Sequence, residues 1–261
     1  MRIQFKYIIQ IASVLMLLFI VAPMLGLIFT VKYPAMFETI KDKEVINSIR
    51  LTILISITAT LISSIGAIPL AYLLARKNFI FKKIVLGIID LPIVIPHSAA
   101  GIAILGVLSR DSLLGEFASK LGIDFVGNPI GIGIAMAFVS VPFLINSAKD
   151  GFISVPLEYE KMAQNLGASP LKVFFSISLP LAKRNIFSGL IMMFSRGLSE
   201  FGAVVIIAYY PMITPVLIFD RFNNFGLQYA KPAALLFIIV TLLIFIFLRY
   251  LSNKGLNAEN K

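Results

Sequence analysis

Pro156-Leu157-Glu158-Tyr159-Glu160-Lys161-Met162-Ala163-Gln164-Asn165-Leu166-Gly167-Ala168-Ser169-Pro170, continuing to Ile177-Ser178-Leu179-Pro180, forms the heart of a polar stretch, Lys149 to Arg184, set between long apolar blocks. The spacing of Leu157, Lys161, Ala163, Gln164 and Leu166 suits a short surface helix. Gly167 is placed to end that helix, and Ser169-Pro170 to open a second one. Two short amphipathic helices lying on a membrane face are one reading of the stretch. A plain connector between two spans is the other, and the residues alone leave both open.

Outside this stretch the chain is composed for hydrocarbon. Its 261 residues are 59% hydrophobic and 14% charged, and the mean hydropathy is +0.94, far more apolar than a soluble domain. The apolar residues fall in six blocks, at 8–31, 47–76, 84–108, 129–148, 185–209 and 232–251. A helix needs about 20 such residues to cross about 30 Å of hydrocarbon. The alternation that marks barrel strands is missing, so the fold predicted is an all-α membrane protein with six transmembrane helices, one domain over 1–261, and a loop over 149–184. The first block is too long for a secretory signal and no small-residue cleavage site follows it, so it reads as an uncleaved span.

Six spans put both termini on one side, and Lys and Arg in short loops are retained on the cytoplasmic face. With the N-terminus inside, fourteen basic residues lie inside, from Arg2 and Lys6 through the second and fourth loops to Arg249, Lys254 and Lys261. Seven lie outside: Lys32, Lys41, Lys43, Arg110, Lys120, Arg221 and Lys231. The two-to-one bias predicts cytoplasmic termini and a cytoplasmic 149–184 loop in a multi-pass cell-membrane protein. The net charge of +10 is then a loop property, and nucleic acid is not expected as a partner because no basic soluble domain exists to carry it. Cysteine is absent, which excludes disulfides, iron–sulfur clusters and thiol chemistry.

The third block is punctuated as Asp90-Leu91-Pro92-Ile93-Val94-Ile95-Pro96-His97-Ser98, with Gly101 and Gly106 beyond. Interior prolines free carbonyls that lipid cannot satisfy, so this span is expected to face protein or a water-filled pathway. Arg196 and Glu200 stand four apart, share one face of a helix, and are read as a structural intramembrane ion pair. His97, Ser98, Ser195 and Ser199 are candidate pathway or gate residues, although packing and hydrogen bonding explain a lone histidine and intramembrane serines equally well. Asp90 is expected to meet a basic neighbour. With one histidine and no cysteine, no metal site is expected, and no cofactor is implied. No catalytic residue is assigned. A P-loop requires Gly-Lys-Ser/Thr, and no Gly-Lys pair occurs, so any ATP hydrolysis must come from a partner.

The polar stretch resembles the EAA loop of ABC importer permeases: Glu-Ala-Ala, three residues, Gly, nine residues, Ile, one residue, Leu-Pro. Gly167, Ile177, Leu179 and Pro180 fall at that spacing. Lys161 and Met162 occupy the positions of the Glu and the first Ala, Ala163 matches, and the acid comes one residue early at Glu160. Gly197-Leu198-Ser199-Glu200-Phe201-Gly202-Ala203 resembles an element of molybdate, tungstate and sulfate permeases. Leu91 to Ala103 is most similar to the molybdate/tungstate members. The resemblance implies a type I importer permease fold that acts as a homodimer between two ATPase subunits and an extracytoplasmic oxyanion-binding protein. It assigns Glu160, Lys161, Ala163, Gly167, Ala168 and Pro180 to ATPase coupling, with Glu160 as the charged contact. The anion implied is molybdate or tungstate, with sulfate or thiosulfate as the alternative. An ion-driven secondary transporter would want inverted repeats and mid-membrane ion sites, and an intramembrane serine hydrolase a Gly-x-Ser-x-Gly element; the sequence has neither.

Overall fold

The computed structural model describes residues 2–257, with side chains over 5–250; Lys261, counted in the charge bias, lies outside the described residues. The helices are, in order, α1 Arg2–Thr30, α2 Tyr33–Lys41, α3 Lys43–Arg76, α4 Lys82–Val94, α5 His97–Leu108, α6 Leu113–Lys120, α7 Pro129–Ser154, α8 Leu157–Asn165, α9 Pro170–Val173, a π-helical turn Phe174–Ser178, α10 Leu179–Leu198, α11 Val204–Ile207, α12 Thr214–Phe225 and α13 Leu227–Asn257. Polar side chains start several of them. Asp42 caps α3 by accepting from the Glu44 N–H, and Asn128 caps α7 by accepting from the Ile130 N–H, just ahead of Pro129. Each cap satisfies a donor that the first helical turn leaves open. The N-terminus of α12 is capped from a distance: Thr52 of α3 accepts from the Thr214 N–H at 2.8 Å.

The bundle is organised around α7, which packs on both α3 and α10. One core cluster joins Ile49 and Ile55 of α3, Ile132, Met136 and Val139 of α7, and residues of α5, α11 and α12. The other joins Ala71 and Leu74 of α3, Leu144 and Phe152 of α7, and Ala182, Ile186 and Met193 of α10. Lipid offers no hydrophobic drive between helices, so close contact depends on small residues. At Gly189, an added Cβ would come within 2.9 Å of Ser147 Cβ and 3.2 Å of Leu144 Cα; at Gly197, within 2.8 Å of Ser56 Oγ. By contrast, the apolar window of α1 is 0% buried, and this helix lies on the outside of the bundle.

Among the described residues four helices, α1, α3, α7 and α13, are long and apolar enough to cross a membrane. Two of the expected continuous spans are interrupted. The third block is the pair α4–α5, bent by 112° at Ile95-Pro96, where the proline removes a donor and biases its neighbour toward extended backbone. The fifth block begins earlier than the apolar pattern suggests, at Leu179, and its helix stops at Leu198; Ser199 to Ala203 separate it from the short α11. Within this break the Glu200 carboxylate accepts from the Ala203 N–H, interrupting the helix where hydropathy alone continues.

Both interruptions sit at similar distances from the polar end. Ile95 lies twelve positions after Lys83, and Arg196 twelve positions after Arg184. At the helical rise, each is about 18 Å beyond the last basic residue. The two ends of α3 are also distinguished. At its C-terminus Arg76 meets α8, whereas at its N-terminus Asp42 pairs with Arg221 of α12. The Glu160 segment and the α2/α12 layer therefore lie at opposite ends of the bundle.

Candidate functional site

At the first of these ends, α8 is held by a buried carboxylate. Glu160 is 4% exposed. Its Oε1 accepts from Arg76 Nε at 2.8 Å and from Ser178 Oγ at 2.7 Å, and its Oε2 accepts from the Tyr72 hydroxyl at 3.0 Å. Arg76 Nη2 also donates to the Val155 carbonyl at 3.0 Å. Beneath this network Tyr72, Phe152 and Phe174 pack edge to face or tilted, with centroids 5.0–6.0 Å apart. One carboxylate thus ties α8 to the end of α3 and to the π-helical turn, and burial is tolerable because the charge is paired and its lone pairs are used. Glu160, expected as the charged contact to a partner, has its side chain turned inward within this chain, where Arg76, 84 positions earlier, closes over it.

The opposite face of α8 is open. Tyr159, Met162 and Leu166, at helical spacing, are exposed, Leu166 by 88%, and Leu171 and Phe175 extend the apolar surface. Lys161 is exposed beside them, Ala163 and Ala168 are half-buried, and Pro180 is exposed. Gly167 has φ +88; its N–H donates to the Gln164 carbonyl and the Ala168 N–H to the Ala163 carbonyl. This Schellman arrangement stops α8 and redirects the chain through Ser169, whose hydroxyl caps α9.

The second constellation lies where the two interruptions meet. Glu200 Oε2 is 2.9 Å from Arg196 Nη2 and 2.9 Å from His97 Nδ1, and its Oε1 accepts from the Ala203 N–H at 2.9 Å. Arg196 Nη2 is also 2.8 Å from each of the His97 ring nitrogens. The tautomer that satisfies every group has Nδ1–H donating to Glu200 and Nε2 accepting from Arg196. Arg196 Nη1 reaches Ser199 Oγ at 3.2 Å. Gly202 lets the two segments touch: a Cβ there would come within 2.7 Å of His97 Cβ. The exposures are graded, with side chains 1% exposed at Glu200, 25% at Arg196 and 36% at His97. Ser98 and Ser199 are exposed beside them, and Ser195 is half-buried. His97 as the third member of the Arg196–Glu200 pair was not legible from spacing, since it lies 103 positions from Glu200. Asp90 is met by the Asn146 amide at 2.6 Å, with Lys149 reaching only Asn146, at 2.9 Å; its expected basic neighbour is one residue removed.

An interrupted helical bundle with a clamped surface helix at one end and a charged cluster inside defines a membrane transport component. The chain belongs to the family of binding-protein-dependent transport system inner membrane components, whose profile matches residues 67–257. Among curated proteins it is 44% identical over 224 residues to the molybdate/tungstate transport system permease protein WtpB of Pyrococcus furiosus, covering 86% of this chain and 85% of that protein. It is 42% identical over 236 residues to the protein of the same name from Methanocaldococcus jannaschii, covering 90% and 92%. The sulfate transport system permease protein CysT of Salmonella typhimurium is more distant, at 27% over 222 residues, covering 84% and 80%. Among solved structures, a bacterial ABC transporter that imports the acidic polysaccharide alginate matches with a TM-score of 0.76 at 20% identity, covering 97% of this chain and 96% of that one. The MetNI methionine ABC transporter matches with a TM-score of 0.64 at 12% identity, covering 87% and 98%. These structures share its fold.

Proposed function

We propose that this chain is the permease subunit of an ATP-driven importer of a tetrahedral oxyanion, molybdate or tungstate, and that it works as a homodimer. The observation that carries this reading is the seating of α8, whose Glu160 is locked inward while an apolar face with Tyr159, Met162 and Leu166 stands open for a partner. Two ATPase subunits dock there, since the chain has no phosphate-binding loop of its own. An extracytoplasmic binding protein delivers the anion at the α2/α12 end. The relatives at 42–45% identity supply the anion class; sulfate, named for more distant relatives, is the alternative.

The spans in this reading are α1, α3, the bent α4–α5, α7, α10 with its extension, and α13, with both termini and α8 in the cytoplasm, as the basic residues favour. An Arg and a His about 18 Å along the helices are costly in lipid and need protein or water against them. A second copy placed against this face encloses them and makes a pathway. ATP-driven approach of the two ATPases brings the two α8 helices together and opens the pathway outward. The test is uptake by proteoliposomes that contain this chain, its ATPase and its binding protein. Accumulation of tungstate or molybdate that requires ATP and the binding protein is expected. Uptake driven by an ion gradient without ATP would replace this reading with a secondary transporter.

A further inference from the structure

We propose that Arg196 is the residue that receives the anion inside the pathway, with Glu200 and His97 as positioning residues that hold the guanidinium toward the open side; this rests on the permease reading above. Three features of the cluster point to it. First, its charges are layered. The Glu200 side chain is 1% exposed while the Arg196 side chain is 25% exposed, so an anion on the open face meets the cationic side chain before the acid beneath it. A pair serving only to neutralise itself gains nothing from leaving its cation uncovered.

Second, donors remain. Among the described residues Arg196 Nε makes no hydrogen bond, and Ser98, next to His97 in the chain, carries an exposed hydroxyl; the Ser199 hydroxyl already donates to the Arg196 carbonyl. A tetrahedral dianion offers four oxygens, and guanidinium with hydroxyl donors is the chemistry that binds such oxygens. Third, the mount is rigid. Glu200 accepts from the backbone of Ala203 at 2.9 Å, and His97 is fixed between Glu200 and Arg196. Gly202 holds the α4–α5 bend against the Ser199–Ala203 break.

Pairing also explains how a site in a pathway can let its anion go. Conduction needs binding strong enough to enter and weak enough to leave. The opposite charges of Arg196 and Glu200 cancel within each pair, so the pairs of two copies face the dianion with oriented donors but no net charge to trap it. His97 adds rigidity: its Nδ1 is 2.9 Å from Glu200 and both ring nitrogens are 2.8 Å from Arg196 Nη2, so the imidazole braces the pair.

The experiment compares wild type, Arg196→Gln, Arg196→Lys and the double variant Arg196→Gln/Glu200→Gln, each assembled with its ATPase and binding protein in proteoliposomes. The readout is tungstate delivered per ATP hydrolysed, measured by mass spectrometry of the vesicle contents. Arg196→Gln is expected to lower this ratio about tenfold or more, the loss of a charge-assisted contact, and Arg196→Lys is expected to recover part of it. The double variant leaves no unpaired buried charge, so it carries the test if the single variant fails to assemble. It is expected to remain as defective as Arg196→Gln. Recovery to the wild-type ratio in the double variant would show that the pair serves only structure and would overturn the proposal, as would an unchanged ratio in Arg196→Gln. Wild-type vesicles that take up neither tungstate nor molybdate would refute the substrate reading instead, an outcome distinct from a loss confined to the variants.

Discussion

Replacing Glu160 by Ala removes the one carboxylate that joins α8 to Tyr72 and Arg76 of α3 and to Ser178 of the π-helical turn. The Arg76 side chain is only 11% exposed, so it is left as a nearly buried cation with the Val155 carbonyl and, 6.0 Å away, the Tyr72 ring as neighbours but no carboxylate. Breaking a buried pair from one side costs about 3–5 kcal/mol. The site lies at the end of the bundle, where water can reach the exposed α8 surface, so the lower figure, about 3 kcal/mol, applies. Since about 1.4 kcal/mol corresponds to a factor of ten, the docking of α8 should weaken roughly a hundredfold. Hydrogen exchange in lipid nanodiscs reads this directly, because local opening sets the protection of a segment. Amides of 157–166 should lose about two orders of magnitude of protection while those in the centre of α7 keep theirs. Glu160→Gln, which keeps the shape and one acceptor but not the charge, should lose about one order, in line with about 1–2 kcal/mol for a charged hydrogen bond weakened in place. The double variant Glu160→Met/Arg76→Met should regain much of the protection, since apolar replacement of both partners is often near neutral. Unchanged protection in Glu160→Ala would refute the reasoning, because α8 would then be held by packing alone.

Gly167→Val places a β-branched residue at φ +88, at a cost of about 1 kcal/mol or more; copurification of the ATPase and stimulated ATP hydrolysis should fall together while the thermal unfolding of the spans stays unchanged. Gly189→Leu forces α10 away from α7, where a Cβ already meets Ser147 and the Leu144 backbone. Overpacking of about 1–3 kcal/mol should appear as a lowered unfolding temperature in detergent. Cysteines placed at Asn78, just past the end of α3, and at Glu116 on α6, both exposed, should react with an impermeant reagent from opposite sides of the membrane. Labelling of both in intact cells would overturn the proposed topology.

Much of this architecture was legible in order of residues, because some properties are local. Solvent class is one: blocks such as 8–31 and 232–251 are too apolar for water, and they appear as the long helices α1 and α13. The punctuation of the polar stretch is another, since a glycine that ends a helix and a Ser-Pro that opens the next act within a few residues. Hydropathy, however, reports only which solvent a segment suits and not whether its helix continues. The bend at Ile95-Pro96 and the break at Ser199–Ala203 therefore fell inside blocks that looked continuous. Pairing of charges is not local at all. The order of residues gives Glu160 no intrachain partner, and only the arrival of Arg76 at the same end of the bundle turns its side chain inward. In the same way the i,i+4 spacing of Arg196 and Glu200 anticipates their pairing, but only the return of the α4–α5 bend brings His97 against both of them. That return, and the gradient of exposure it creates from Glu200 outward to Arg196 and His97, follows from helix packing through glycines, which no single segment of the chain encodes.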